Sequence, residues 1–403
     1  MYSRAVSGRG ETIWNRNYVL CMFVSACAAF AQSMFNPAMP VYGQSIGLKA
    51  DVIGFITAVA LLLCMFGRGI SGKFSDIMSK KKLVWLGIII TLAGYALYFF
   101  AFSIPVFFIA RVLQTIGSGM TTTVLSALSI SVVPSKRIPS AIAIFSIASS
   151  LAQCFAPNIG TNLAYAGQFR ILFVTALVLL LLAAFLLSRI DEGPVPVRQA
   201  AASGARRFKG GSHGKFNLDK ILCVPAIPAA ILLLFNGIIY TSITNYLSLY
   251  GIERDLKNIG IFFTVNAVTM IISRPLVGKI CDSRPLSWII IPGFIAEMAA
   301  CVLLAMTWDM PVIYAAAVCY GLGFGSTQAA IQIMAIRSVG PERRGDANGT
   351  FYVGGDIGLA LGAYAAGAIF NAAGSMVMYL FMAGAAVLSI IFYAGYKVRA
   401  SQT

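Results

Sequence analysis

The chain has 403 residues, 59% of them hydrophobic and 11% charged, with a mean hydropathy of +0.83. That composition excludes a soluble globular protein. A net charge of +16 would suggest nucleic acid in a soluble chain. Here no nucleic-acid partner is expected, because membrane proteins keep an excess of Lys and Arg in cytoplasmic loops. Anionic lipid headgroups are the expected partner of that basic surface.

Twelve apolar runs follow one another, each about long enough to cross a bilayer. They cover roughly 18–40, 51–73, 83–103, 105–133, 140–164, 169–188, 224–249, 258–280, 288–306, 310–336, 349–371 and 375–396. Lipid cannot satisfy free backbone groups, so helices are the expected spanning form. Pro40, Pro105, Pro134, Pro139 and Pro311 fall at or near the ends of runs, whereas Pro157 and Pro275 fall inside them and predict kinks. The residues before the first run, Met1 to Asn17, include Arg4, Arg9 and Arg16 but no small-residue cleavage signal, so the first run reads as a retained span.

With the N-terminus in the cytoplasm, 24 of the 30 Lys and Arg residues fall in cytoplasmic segments and four in outer loops. That asymmetry predicts cytoplasmic N- and C-termini. The longest polar stretch, Arg189 to Asp219, divides the runs six and six and reads as a flexible linker. The expected domains are therefore a six-helix bundle at 1–188, a linker at 189–223 and a second bundle at 224–403.

The two halves are related. Arg68-x-x-x-Gly72-Lys-x-x-Asp76 returns as Arg274-x-x-x-Gly278-Lys-x-x-Asp282, 206 residues later. Arg111 to Gly119 aligns with Ala317 to Gly325 at the same offset, keeping Gly117 with Gly323 and Gly119 with Gly325. The predicted fold class is an all-α membrane protein with 12 transmembrane helices in two pseudo-symmetric six-helix bundles, as in transporters made of parallel repeats.

The eight cysteines lie mostly within apolar runs and make no metal-type cluster, so they read as small hydrophobes. No metal, cofactor or disulfide framework is expected. A membrane enzyme would need paired carboxylates or histidines. The lone histidine, His213, lies in the linker, and no acidic cluster occurs, so the chain does not read as an enzyme.

These residues resemble the major facilitator superfamily of secondary transporters over essentially the whole chain, and within it the twelve-span drug-efflux-type proton antiporters. Gly72-Lys-Phe-Ser-Asp76-Ile-Met-Ser-Lys80-Lys81 resembles the family's loop motif, with Ile77 and Ser79 where the family usually has arginine and glycine. Arg111, Gln114, Gly117 and Gly119 resemble its fourth-span motif. Ala156-Pro157-Asn-Ile-Gly160 is a thinned version of the antiporters' fifth-span motif, and Asn348 to Gly358 resembles the eleventh span of one bacterial exporter subgroup. The resemblance implies a proton-coupled exporter of small amphipathic or drug-like molecules working by alternating access, a monomer in the cell (inner) membrane. A proton symporter importing an organic anion and a lipid flippase are the alternatives.

A charge in the hydrocarbon region is costly and commonly marks function. Arg111, Asp356 and Glu297 are the candidates for proton coupling. Arg111 reads as a fixed charge facing the cavity, or as a side chain snorkelling outward. Asp356 reads as a proton carrier or cation contact, or as a structural acid paired with an arginine. Glu297, on a helix usually peripheral in this fold, reads as coupling or structural. Gly354, Gly358 and Gly362 read as close helix packing. Candidate substrate contacts are Gln32 and Asn36 on the first span, and Asn236, Tyr240 and Asn245 on the seventh. Gln328 and Gln332 on the tenth and Tyr352 on the eleventh join them, with Phe30 and Phe35 adding apolar contact. Asn236 with Tyr240, and Gln328 with Gln332, have i, i+4 spacing and share a face. The resemblance implies a cytoplasmic gate at Arg68, Gly72, Asp76, Arg274, Gly278, Asp282, Arg343 and Arg344. In that gate Asp76 meets the positive N-terminus of the eleventh helix.

Overall fold

The computed structural model describes residues 14–75, 78–134, 137–191, 223–256, 258–307, 309–340 and 343–400, in which helices and no strands occur. The helices of the first half are α1 (Arg16–Ser45), α2 (Ala50–Phe74), α3 (Lys80–Leu97), α4 (Ile104–Ser131), α5 (Ile138–Tyr165) and α6 (Phe169–Ser188). The second half has α7 (Ile227–Glu253), α8 (Ile261–Ser283), α9 (Ser287–Met306), α10 (Met310–Arg337) and α11 (Arg344–Ala400). α11 holds both the eleventh and twelfth expected spans. It breaks at Gly374, whose φ of 79° and ψ of −179° lie outside the helical range. A Cβ is disfavoured at that φ, which is why glycine stands there. The Glu253 carboxylate accepts from the Ser375 N–H at 3.2 Å and so caps the arm that follows the break.

Among the described residues, nine helices, α11 among them, are long and apolar enough to cross a membrane by length and composition. α5 and α8 complete the expected set. The prolines at span starts hold: Pro105, Pro139 and Pro311 occupy the first turns of α4, α5 and α10, where the missing N–H costs nothing. Pro40 does not end its span, and α1 runs on to Ser45. Neighbouring helices in a bundle can hold a helix together through a proline.

Glycine ladders set the helix spacing. Gly354, Gly358 and Gly362 lie against the backbones of Ala230, Leu234 and Ile238, a constant offset between parallel helices α11 and α7. In the first half Gly87 and Gly117 bring α3 and α4 together, and in the second half Gly293 and Gly323 do the same for α9 and α10. The internal repeat thus has a packing cause. It puts small residues where two backbones approach closely.

The helices alternate in direction, so the bundle has a face bearing the chain termini and an opposite face. Toward the opposite face the halves are bonded together. The Tyr246 hydroxyl lies 3.3 Å from the Ala50 carbonyl of α2 and 3.2 Å from the Ala363 carbonyl of α11. Tyr165 of α5 donates to the Ser248 carbonyl of α7 at 2.6 Å, and Thr264 of α8 donates to the Cys154 carbonyl at 3.1 Å. On the terminal face Lys81 donates to the Ser188 and Ile190 carbonyls, which fastens α3 to the end of α6.

Candidate functional site

A cavity of about 540 Å³ opens between the halves, within the size range of small-molecule sites. α7 contributes Asn236 and Tyr240, and α10 contributes Phe324, Gln328 and Gln332. α11 contributes Tyr352 and Asp356, while α2 and α5 contribute Arg68 and Gln153. Five of the eight expected substrate contacts meet here: Asn236, Tyr240, Gln328, Gln332 and Tyr352. Tyr240 and Phe324 stack with ring centroids 4.9 Å apart, giving the polar cavity one aromatic wall. Gln332 donates to Asn348 at 3.0 Å and lies 3.3 Å from the Tyr352 hydroxyl.

Gln32, Asn36 and Asn245 do not line this cavity. Gln32 faces a small void inside the first half with Thr91, Tyr95 and Thr121. Asn245 is buried on the stretch of α7 where the halves are bonded together. Phe35 packs on Tyr95, Tyr98 and Phe173 in the core of the first half.

The charge in the cavity is a pair. Arg68 Nη1 donates to Asp356 Oδ1 at 2.9 Å, which joins α2 of one half to α11 of the other. The two side chains are 36% and 15% exposed, so the pair is reached from the cavity. Arg68 lies six residues before the end of α2, about 9 Å inside the helix. Gly119 of α4 makes room for it, since a Cβ there would meet both Cys64 and Arg68.

Arg111 lies elsewhere. It is 4% exposed, and its Nη1 donates to Gln114 at 3.1 Å. Its Nε has no partner among the described residues. It therefore stands behind the closed face, apart from Asp356.

Glu297 is fully buried, with no exposure to lipid. Its Oε1 accepts from Asn236 at 3.0 Å and from Thr327 at 2.6 Å, and Asn236 also donates to Thr327 at 2.8 Å. Oε2 has no partner among the described residues. Through Asn236 this cluster reaches the cavity wall. By the 206-residue repeat, Glu297 stands where the first half has Thr91, which merely donates to the Gly87 carbonyl at 2.8 Å. The second half has replaced a hydroxyl by a carboxyl. Glu297→Gln retains an oxygen acceptor and is expected to keep near-native stability. Glu297→Leu leaves one Asn236 N–H without its acceptor, while the bond to Thr327 remains, and costs about 1–3 kcal/mol. Thermal unfolding of the two variants in detergent measures this, and equal melting would mean that the network contributes no stability.

Of the expected gate residues, Arg68 is the one placed in the cavity, and Arg343 is half-buried just before α11. Asp76, the side chains of Arg274, Asp282 and Arg344, and the surroundings of Gly72 and Gly278 lie outside what is described. Residues 192–222, most of the linker, also lie outside them. Sequence reasoning missed Gln153 and Phe324 as cavity residues and read Arg68 as gate only. Phe324 had a usable signal, since 324, 328 and 332 follow one helical face. Gln153 had none beyond being an amide in an apolar run.

The sequence model of the Major Facilitator Superfamily matches residues 21–363 and 257–402. An uncharacterised MFS-type transporter of Methanocaldococcus jannaschii is 24% identical, covering 88% of this chain and 90% of the relative. The staphylopine export protein of Staphylococcus aureus is 22% identical over 92% of this chain and 93% of its own length. The quinolone resistance protein NorA of the same species is 23% identical over 57% of each. Among solved structures, a POT family transporter superposes with a TM-score of 0.77 at 14% identity, covering 95% of this chain and 96% of that one. The nucleoside transporter NupG gives 0.72 at 12% identity, covering 94% and 99%. These structures share the fold.

Proposed function

Because the chain belongs to the Major Facilitator Superfamily, we propose that it is a proton-coupled exporter of small amphipathic molecules that works by alternating access in the cell (inner) membrane. The Lys and Arg asymmetry supports putting the terminal face in the cytoplasm. The cavity is then a cytoplasmic loading site, and the Tyr246 and Tyr165 contacts close the outer side. Two relatives named for export and for drug resistance support the direction.

One observation carries the coupling. The charged pair in the cavity wall is also a bond between the halves. A proton placed on Asp356 cancels the carboxylate charge and loosens α2 from α11. Release of that proton restores the link. Rocking of the halves then moves the site between the two sides. Arg111 supplies a fixed positive charge that the cavity meets when the outer side opens, and Glu297 offers a second carboxyl behind Asn236. The importing alternative draws on Arg111, a buried cation without an acid partner among the described residues. It makes that residue a bidentate anion contact, which lysine cannot replace.

Inside-out vesicles separate the two. With an acidic lumen they are expected to accumulate a zwitterionic quinolone, and collapse of the pH gradient or omission of the protein should abolish the accumulation. Accumulation driven instead by an alkaline lumen, lost in Arg111→Lys, would establish import.

A further inference from the structure

We infer that the cavity is built for a zwitterion: a small molecule bearing a carboxylate, an ammonium group and an apolar body, which binds by exchanging its charges for those of the Arg68–Asp356 pair. The inference rests on the reading of this cavity as the substrate site.

The first argument is unused bonding capacity. A guanidinium offers five N–H donors in a fork, and a carboxylate offers two oxygens. This pair uses one of each, Nη1 and Oδ1. Asp356 Oδ2 makes no hydrogen bond among the described residues, and Arg68 Nε has no partner either. A pair serving only to hold helices together gains most from the two-bond fork. Arg68 Nε is sealed beside Gly119 and Cys64, so the capacity left over toward the cavity is that of Asp356 Oδ2 and the remaining Nη donors.

The second argument is charge accounting. A cationic ligand that takes Asp356 leaves the Arg68 charge without its counter-charge. An anionic ligand that takes Arg68 strands Asp356. A ligand that supplies only one charge leaves the other member of the pair without its counter-charge, so it gains less than one that supplies both. A zwitterion leaves neither charge alone: its carboxylate meets Arg68 and its ammonium meets Asp356. The rest of the wall agrees, since Gln153, Asn236, Gln328 and Gln332 are neutral amides and Tyr240 with Phe324 presents an aromatic face.

The same exchange explains antiport. Asp356 holds a proton or the ammonium group of the ligand, not both. The ligand, once bound, replaces a direct link between the halves by one that runs through itself.

The test uses three probes with one indole body: tryptophan with both charges, tryptamine with the ammonium alone, and indole-3-propionate with the carboxylate alone. Equilibrium binding is measured on the full chain in lipid nanodiscs without a pH gradient. Tryptophan should bind about tenfold or more tighter than either single-charge probe. Asp356→Asn should remove its advantage over indole-3-propionate, and Arg68→Gln its advantage over tryptamine. The double variant Arg68→Asp with Asp356→Arg keeps a pair between the helices and should keep the preference, which separates lost recognition from lost folding. Equal binding of tryptophan and tryptamine, no binding of tryptophan, or a preference that survives both single substitutions would overturn the inference. Because no gradient is involved, charge-pair recognition without proton-driven export would sink the coupling proposal and leave this one standing.

Discussion

Asp356→Asn is expected to reduce gradient-driven export to the passive leak while leaving the protein folded. Asparagine matches the shape of aspartate but has no carboxylate to take up and release a proton. It can still accept from Arg68, so the contact between α2 and α11 weakens without disappearing. The native pair is single-bonded and open to the cavity, and such pairs contribute only about 1 kcal/mol or less. The melting temperature should therefore move little while coupling disappears. Proteoliposomes report both: export under an imposed pH gradient, and proton release on substrate addition. Full gradient-driven export by the variant would remove Asp356 from the mechanism. Asp356→Glu should retain part of the activity, because the carboxyl survives at a displaced position.

Gly160→Ala is expected to be the most destabilising single methyl in the described bundle. A Cβ at Gly160 would sit 1.8 Å from the Met34 carbonyl oxygen, with further backbone of α1 within 3.0 Å. The obstacle is main chain, so no rotamer change relieves it and the helices must separate. Overpacking of this kind costs about 2–3 kcal/mol. Gly384→Ala is the control, since nothing lies within 4 Å of a Cβ there. Alanine favours helix over glycine, so that variant should be neutral or up to about 1 kcal/mol more stable. Thermal unfolding of both variants decides the matter, and equal melting would mean that α1 and α5 are not locked at this glycine. Gly160 is also part of the stretch that resembles the antiporters' fifth-span motif. Its physical job here is close approach of α5 to α1, whatever else that motif does.

The sequence by itself determined the fold, because the bilayer removes most alternatives. Apolar runs of spanning length must become helices, and the 206-residue echo of Arg68–Asp76 in Arg274–Asp282 makes two related halves. The glycine spacing at 354, 358 and 362 was legible as packing for the same reason, since one helical face meets one neighbour. Helical periodicity also foretold the faces of α7 and α10 that line the cavity.

Only the tertiary structure decided which charges meet. Asp356 and Arg68 are 288 residues apart, and spacing along a helix says nothing about which helix of the other half stands opposite. Arg111 reads from the sequence as a charge facing the cavity, yet it is buried beside Gln114 and does not line it. Glu297 looked peripheral, yet it is fully buried against Asn236 and Thr327. Arg68 reads from the sequence as part of the cytoplasmic gate, because the loop motif follows it directly. The fold draws it about two turns up α2, where it faces Asp356 across the two halves.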